Sequence, residues 1–168
     1  MTQDRFNALC TWGTAQEVER ALASQPDLAK GTSEPAPKAL EDCTPLHCAC
    51  NTRHNSNKTE MLRIARLLIA NGADVNAADD RGDTALMEAC SDDEHYTAIV
   101  ELLLASGADV RMRNEDGWTA LHHACEIGNA AAAKLLLAAG VEADAVSNDG
   151  ETPLTLSFSA CAEKSVPC

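Results

Sequence analysis

Four side chains near residue 50 have the types and spacing that could bind a metal ion. Cys43, His47, Cys50 and His54 are separated by three, two and three residues. Zn²⁺ is commonly bound by two cysteines and two histidines. A zinc site is therefore the first chemical hypothesis to test against the rest of the sequence.

Two acidic turns carry side chains of the type that bind calcium. The segments 79–82 and 114–117 are acidic and end in glycine. Neither continues into the twelve-residue calcium loop that ends in a glutamate, so both are interpreted as turns.

The chain also contains no nucleophile elbow, phosphate loop or paired-acid motif at convincing spacing. We therefore predict a protein that is not an enzyme and uses no cofactor.

A repeated pattern explains where two of the four metal-binding candidates fall. Four segments begin at Thr44, Thr84, Thr119 and Thr152 and read TPLHCAC, TALMEAC, TALHHAC and TPLTLSF. Their intervals of 40, 35 and 33 residues are typical of stacked-repeat proteins. Two of the zinc candidates, the histidine and the second cysteine, occupy ordinary positions of this pattern. No metal site is therefore expected.

Helix signals recur at the same places in each copy. The initial threonine can cap a helix by accepting a hydrogen bond from an unpaired backbone N–H. Pro45 and Pro153 then stand at the first helical position, where proline is favoured. Gly72, Gly107 and Gly140 follow leucine-rich runs, as C-cap glycines do. Each unit is thus predicted to be a helix, a loop, a second helix and a turn, stabilised by stacking on its neighbours.

This pattern resembles the ankyrin repeat, which has a period of about 33 residues and a T-P-L-H-x-A signature. The resemblance implies an all-α solenoid of about four and a half repeats, with short hairpins and no substantial sheet. The whole chain, 1–168, is predicted to be a single ankyrin-repeat domain. Its predicted units are a degenerate N-terminal cap at 4–40 with its second helix at Ala15–Ser24, repeats at 41–79, 80–114 and 115–147, and a partial C-terminal cap at 148–168.

Composition limits the partners. The chain has 168 residues, of which 45% are hydrophobic and 3% aromatic, and its net charge is −13. Such acidity argues against nucleic-acid binding, which needs clustered Lys and Arg, and against anionic membranes. A protein partner, in particular a basic one, fits this charge. We find no apolar run of about 18–20 residues and no signal peptide, so we expect an intracellular protein, in the cytoplasm or alternatively the nucleus. We also expect a monomer.

Four of the eight cysteines share one position of the repeat. Cys10, Cys50, Cys90 and Cys125 stand where a small apolar residue is usual, and a free cysteine behaves as one. We therefore predict buried, reduced thiols at these four positions. A redox role for Cys161 and Cys168, near the C-terminus, stays open.

Three insertions and the last unit depart from the period. The segment Gly31–Lys38 is rich in proline, Thr52–Glu60 lengthens its repeat by seven residues, and the segment 92–95 lengthens the next by two. Insertions fall on loops, so Thr52–Glu60 is predicted to be a loop that either contacts a partner or is simply tolerated. The last unit has one predicted helix, followed by Ala162–Cys168. It either caps the stack or belongs to a longer chain.

The resemblance implies a protein–protein interaction module without enzymatic activity, either an adaptor or a stoichiometric inhibitor. The alternative is a structural or targeting segment of a larger multidomain protein whose activity lies elsewhere.

The family's usual recognition surface is formed by hairpin tips and first-helix ends. By register, the tip positions are Asp80, Arg81, Asp83, Glu115, Asp116, Trp118, Asn148, Asp149 and Glu151. The first-helix ends are Thr11, Trp12, Asn51, Thr52, Ser91, Asp92, Glu126 and Ile127. Trp118 is predicted to point outward, either as a binding anchor or against a neighbouring hairpin.

Overall fold

The computed structural model describes residues 1–31, 43–51, 57–91 and 97–164, with side chains as far as Phe158 in the last range. This part of the chain contains nine α-helices, one short 3₁₀ helix (Pro26–Lys30) and one isolated antiparallel bridge between Ala78 and Thr84. The helices are α1 (Gln3–Trp12), α2 (Ala15–Ser24), α3 (Pro45–Cys50), α4 (Lys58–Ala70), α5 (Ala85–Cys90), α6 (Thr97–Ala105), α7 (Ala120–Ile127), α8 (Ala130–Ala138) and α9 (Pro153–Lys164).

The helices form two layers. The first helix of each unit packs on the first helix of the next, in the order α1, α3, α5, α7 and α9. The second helices α2, α4, α6 and α8 stack in the same order. Helix pairs such as α3 with α4 and α7 with α8 join the layers. The predicted all-α repeat solenoid is confirmed.

The repeat threonines begin the first helices as predicted. Thr44, Thr84 and Thr152 each accept a hydrogen bond from the N–H three residues later, at 3.4, 3.4 and 3.3 Å. Thr119 uses a different bond, because its own N–H donates to His122 Nδ1 at 3.0 Å. The N-terminal helix ends of all four repeats are therefore fixed by local side-chain bonds.

The three predicted C-cap glycines have left-handed backbone conformations. Gly72, Gly107 and Gly140 have φ values of 87°, 91° and 86°. At Gly107, the glycine N–H donates to Leu104 O at 3.2 Å, and the Ala108 N–H donates to Leu103 O at 3.0 Å. This pair of bonds satisfies the last carbonyls of the helix.

The core is aliphatic and contains most of the repeated cysteines. Cys10, Cys50 and Cys90 are fully buried, whereas Cys125 is only half-buried. Burial raises the pKa of the Cys90 thiol to about 12. The prediction of burial is therefore wrong for Cys125. This position lies in α7 near the end of the described stack, where α9 is not followed by another described second helix.

Two helix boundaries differ from the sequence prediction. Helix α4 begins at Lys58, so the end of the predicted Thr52–Glu60 loop is helical, because the Asn57 side chain caps it by accepting from Glu60 N–H at 3.3 Å. Helix α9 continues to Lys164, past the predicted helix end, with no glycine or proline to stop it before that point. Residues 32–42, 52–56 and 92–96, which hold most of the three insertions, lie outside the described residues.

Within the described part of the chain, every helix is too short or too polar to cross a bilayer.

Candidate protein-binding surface

Each hairpin tip is closed by a polar side chain that bonds to the backbone ahead of it. Asp79 Oδ1 accepts from the N–H groups of Arg81 and Asp83, at 2.9 and 2.8 Å. Asn114 Oδ1 accepts from the backbone of Asp116 and Trp118 at 3.1 and 2.8 Å. Such local side-chain bonds favour tight turns, so the tips have a defined backbone shape.

Main-chain bonds join each tip to the next. Glu115 N–H donates to Arg81 O at 2.9 Å, and Asn148 N–H donates to Asp116 O at 2.9 Å. The Asn148 side chain adds a bond to Glu115 O at 2.7 Å. The three described tips thus form one continuous row along the edge of the stack. We call this row the tip ladder.

Glycines allow the tips to approach one another. Gly82 and Gly117 have φ values of 77° and 75°. A Cβ at Gly82 would lie 3.1 Å from Asn114 Cα, and one at Gly117 would lie 2.8 Å from Asn148 Oδ1. Both positions therefore require glycine for conformation and for space.

His123 connects three residues of the predicted surface. Its Nε2 lies 3.4 Å from Asp83 Oδ1, and its Nδ1 lies 3.1 Å from Ser91 Oγ. The Trp118 ring meets the imidazole edge-on, with centroids 5.1 Å apart. The histidine and Asp83 side chains are each 15% exposed. This cluster crosses the junction between two successive repeats.

The Asp83 residue is held at both its side chain and its backbone. Its carboxylate accepts a hydrogen bond from Asn114 Nδ2 at 2.8 Å, and its carbonyl contacts His47 Nε2 at 2.9 Å. Burial opposes ionisation of Asp83, yet the His123 imidazole and the Asn114 amide hold the pKa of the carboxyl below its usual value. The residue is therefore an ionised link between repeats at neutral pH.

His122 is the fully buried neighbour in the same helix. Burial lowers the pKa of its imidazole. Its Nδ1 accepts from Thr119 N–H at 3.0 Å, which places the ring proton on Nε2. The backbone of Glu151 and of Ala145 partly offsets the lowering of the pKa. His122 occupies the same repeat position as His47, whose Nε2 contacts the Asp83 carbonyl.

Comparison with known families identifies this architecture. A family model described as ankyrin repeats, in three copies, matches residues 18–114 and 90–166. The chain belongs to the ankyrin repeat family. A search of curated proteins finds no match. Ankyrin repeats are generally protein–protein interaction modules, and the proteins that contain them are typically non-enzymatic.

The structure brings the nine predicted ankyrin tip positions together on the tip ladder. Of these, the side chains exposed to solvent belong to Asp80, Arg81, Glu115, Asp116, Asn148 and Asp149. The side chains of Asp83, Trp118 and Glu151 are only partly exposed. The exposed tips therefore carry mainly negative charge, with Arg81 as the exception.

The predicted first-helix ends differ from one another in solvent exposure. Trp12 is 67% exposed, and Glu126 is also exposed. Partly exposed positions are Asn51, Ser91 and Ile127. In contrast, Thr11 is buried, and its hydroxyl donates to the Asn7 carbonyl inside α1. Asp92 and Thr52 lie outside the described residues.

Trp118 is oriented differently from the sequence prediction. Its ring is half-buried and stacks on His122, with centroids 5.9 Å apart, as well as meeting His123. The side chain therefore packs on the first helix of its own repeat instead of pointing outward from the tip. Whether its remaining exposed part binds a partner stays a prediction.

His123 and Asn114 organise this surface, although neither is among the residues predicted from the sequence. A signal existed for His123, because the doublet His122-His123 occurs in only one of the four repeat copies. The signal for Asn114 was its register with Asp79, which closes the preceding tip. Both residues act between repeats, so one repeat considered alone does not reveal them.

Of the four hypothetical zinc ligands, His47 already makes two other polar contacts. His47 bonds through both ring nitrogens, to Thr44 Oγ1 at 2.8 Å and to the carbonyl of Asp83 at 2.9 Å. Cys50 is fully buried, and His54 lies outside the described residues. The described side chains contain no cluster of three or more that could hold a metal ion.

Proposed function

We propose that this chain is a non-enzymatic ankyrin-repeat module that binds a basic segment of a protein partner along the tip ladder, as an adaptor or a stoichiometric inhibitor. The observation that carries the proposal is a row of tips joined by main-chain bonds whose exposed side chains are mostly acidic. Because the tips are already ordered, little conformational entropy is lost when a partner binds.

The charge of this surface supports a basic partner. Asp80, Glu115, Asp116 and Asp149 are exposed along the ladder, and only Arg81 opposes them among the exposed tip positions. The net charge of −13 adds a long-range attraction for cations. Complementary charge accelerates encounter, and salt weakens the effect.

The proposed compartment follows from the thiols. Burial raises the pKa values of Cys43, Cys48 and Cys90 to about 12, 11 and 12. Such thiols are poor nucleophiles at neutral pH. The six cysteines whose side chains the structure describes are free thiols, which are usual in a reducing compartment, so we propose the cytoplasm or the nucleus.

Affinity capture followed by mass spectrometry would identify partners, and charge reversal would test the surface. The test variant is Asp80→Lys, Glu115→Lys, and the matched control is Glu19→Lys, Glu101→Lys, which changes the net charge equally on exposed positions of the second-helix layer. We expect the test variant to bind an identified partner at least about tenfold more weakly, with the loss reduced at high salt.

Two results would contradict this proposal. Equal weakening by both variants would show that net charge matters and the tip ladder does not. Unchanged binding by the test variant would place recognition on another surface.

A further inference from the structure

The buried imidazole of His122 lies at the junction between α7 and α9. The residue is 0% exposed, and α9 packs directly on α7. The Trp118 ring stacks on the imidazole, with centroids 5.9 Å apart. The backbone of Ala145 and Glu151, in the chain that leads into α9, acts on the same ring. The protonation state of this ring is therefore a property of the junction.

One hydrogen bond requires the ring to be neutral. His122 Nδ1 accepts from the backbone N–H of Thr119 at 3.0 Å. A protonated Nδ1 is a donor and cannot accept that bond. Thr119 is 2% exposed, so protonation of the ring would take the acceptor away from a buried backbone donor. Leaving such a donor unsatisfied is costly.

The second ring nitrogen gives an added charge no compensation. Nε2 is buried and has no hydrogen-bond partner within reach among the residues that the structure describes. Burial lowers the pKa of this imidazole, the nearby backbone offsets only part of the shift, and Arg113 and His123 lower the pKa further. The closed junction is thus built around a neutral His122.

The surrounding helices and segments contain few groups that titrate near neutral pH. Their titratable or charged residues are Glu88 and Cys90 on α5, Lys134 on α8, His123, Cys125 and Glu126 on α7 itself, and Arg113 and Glu151 in the connecting segments. The described side chains of α9 add none. Histidine is the one residue type in this set whose ordinary pKa lies near neutrality. The experiment must therefore separate His122 from its neighbour His123.

The equivalent position differs at the earlier junctions. At His47, Nδ1 lies 2.8 Å from Thr44 Oγ1 and Nε2 lies 2.9 Å from Asp83 O. Both ring nitrogens therefore face oxygen atoms that can accept from an N–H. In the next repeat the position is held by Met87, which is 1% exposed and does not titrate. Of these three positions, His122 is the one whose contacts require a neutral ring.

We propose that His122 makes the junction between α7 and α9 an acid-sensitive switch, closed while the imidazole is neutral and opened when it gains a proton. Because the pKa of His122 is lowered in the closed state, the open state binds more protons. The closed state therefore loses stability as the pH falls below the ordinary histidine pKa of about 6.5. Each pH unit below it favours opening by up to about tenfold, until the pKa of the closed state is reached.

Opening of this junction would also affect the tip ladder. The bond from Asn148 N–H to Asp116 O joins the two tips on either side of it. If the function proposed above holds, binding of a basic partner should weaken as the pH falls through this range. The switch itself needs no partner, so it can be tested independently of that function.

Hydrogen–deuterium exchange of the whole protein at about pH 7 and about pH 5 tests the switch. After correction for the intrinsic exchange rate, protection of the amides of 145–158 should fall about tenfold or more, whereas that of α4 should change little. His122→Gln removes the titrating group but keeps an acceptor for Thr119 N–H, as in a capping box, so it should lose most of this response. His123→Gln is the matched control and should keep the response.

Several results would overturn the proposal. These are unchanged protection of 145–158 in the parent protein, an equal response in His122→Gln, or loss of the response in His123→Gln. If His122→Gln fails to fold, His122→Met replaces it, since Met87 already occupies the equivalent position. Carbon NMR shifts of the imidazole give a test on the parent protein alone. A charged His122 in molecules whose α9 amides stay protected would equally overturn the switch.

Discussion

The imidazole of His123 lies 3.4 Å from the carboxylate of Asp83, although the two residues belong to successive ankyrin repeats. Both side chains are 15% exposed, so solvent screens their interaction less than it would at the surface. The contact also places Trp118 and Ser91 around one ring. It therefore links the tip ladder to the ends of the first helices.

Asp83→Asn should remove this link and change the response to acid. The pKa of Asp83 is lowered in the folded state, so its stabilising effect is present above the unfolded pKa of about 3.9 and is lost as the pH falls through the folded pKa. The variant should be less stable than the parent at neutral pH, and the difference should shrink below about pH 4. Urea unfolding at several pH values measures both quantities.

A double-mutant cycle identifies the partner in that effect. Asp83→Asn combined with His123→Gln should show a coupling energy of about 0.5 kcal/mol or more, as residues in one network do. The control pair is Asp80→Asn with His123→Gln, because Asp80 is exposed on the same tip. If the effects of Asp83→Asn and His123→Gln are simply additive, Asn114 and not His123 stabilises the ionised carboxylate.

Trp118→Ala should destabilise the fold, because the ring packs on both His122 and His123. Aromatic pairs contribute about 0.5–1.5 kcal/mol beyond simple burial, and we expect a loss of about 1 kcal/mol or more. Trp12→Ala, at a side chain that is 67% exposed, is the control and should cost less than about 0.5 kcal/mol. Equal costs in denaturant unfolding would refute the packing role of Trp118.

Gly107→Val should cost on the order of 1–3 kcal/mol, because φ at this residue is 91° and a β-branched residue is strained there. The cost is conformational alone, since an added Cβ would have no neighbour within 4 Å. Gly107→Asn provides the matched comparison, because asparagine tolerates the left-handed region. We expect the valine variant to melt clearly below the asparagine variant, and identical melting would disprove the strain.

The thiols should react in two groups with a thiol-specific reagent. Cys10, Cys50 and Cys90 are fully buried, and burial raises their pKa values, so in the native protein they should react slowly. Cys43 and Cys125 are partly exposed and should react sooner. After denaturation without reductant, eight thiols are expected, matching the eight cysteines. Two or more disulfides would contradict a reduced core.

Local signals made much of this fold predictable. The second helix of the N-terminal unit was predicted at Ala15–Ser24 and is found there. Pro45 and Pro153 begin α3 and α9, and the left-handed Gly107 follows α6. Each of these features depends on a few neighbouring residues, through a cap or a restricted backbone angle. Because the motif is repeated, each of these signals also occurs several times in the sequence.

The site was less predictable because its contacts join separate turns and helices, and some of them cross between repeats. The sequence places Trp118 at a tip, but its direction depends on His123 in the following helix. The role of Asp83 depends on Asn114, 31 residues later. Similarly, the start of α4 depends on Asn57, a capping residue within a polar stretch that otherwise favours a loop. Such relationships can be predicted only when the relative positions of the helices and turns are known.

The tip ladder has a consequence for how this molecule can diversify. Its bonds from Glu115 to Arg81 and from Asn148 to Asp116 use main-chain donors and acceptors. The identities of the exposed side chains at Asp80, Glu115 and Asp149 are not needed for those bonds. Mutation can therefore change binding specificity at these positions at little cost to folding, which also makes them the natural positions to randomise in a library selected for new ligands.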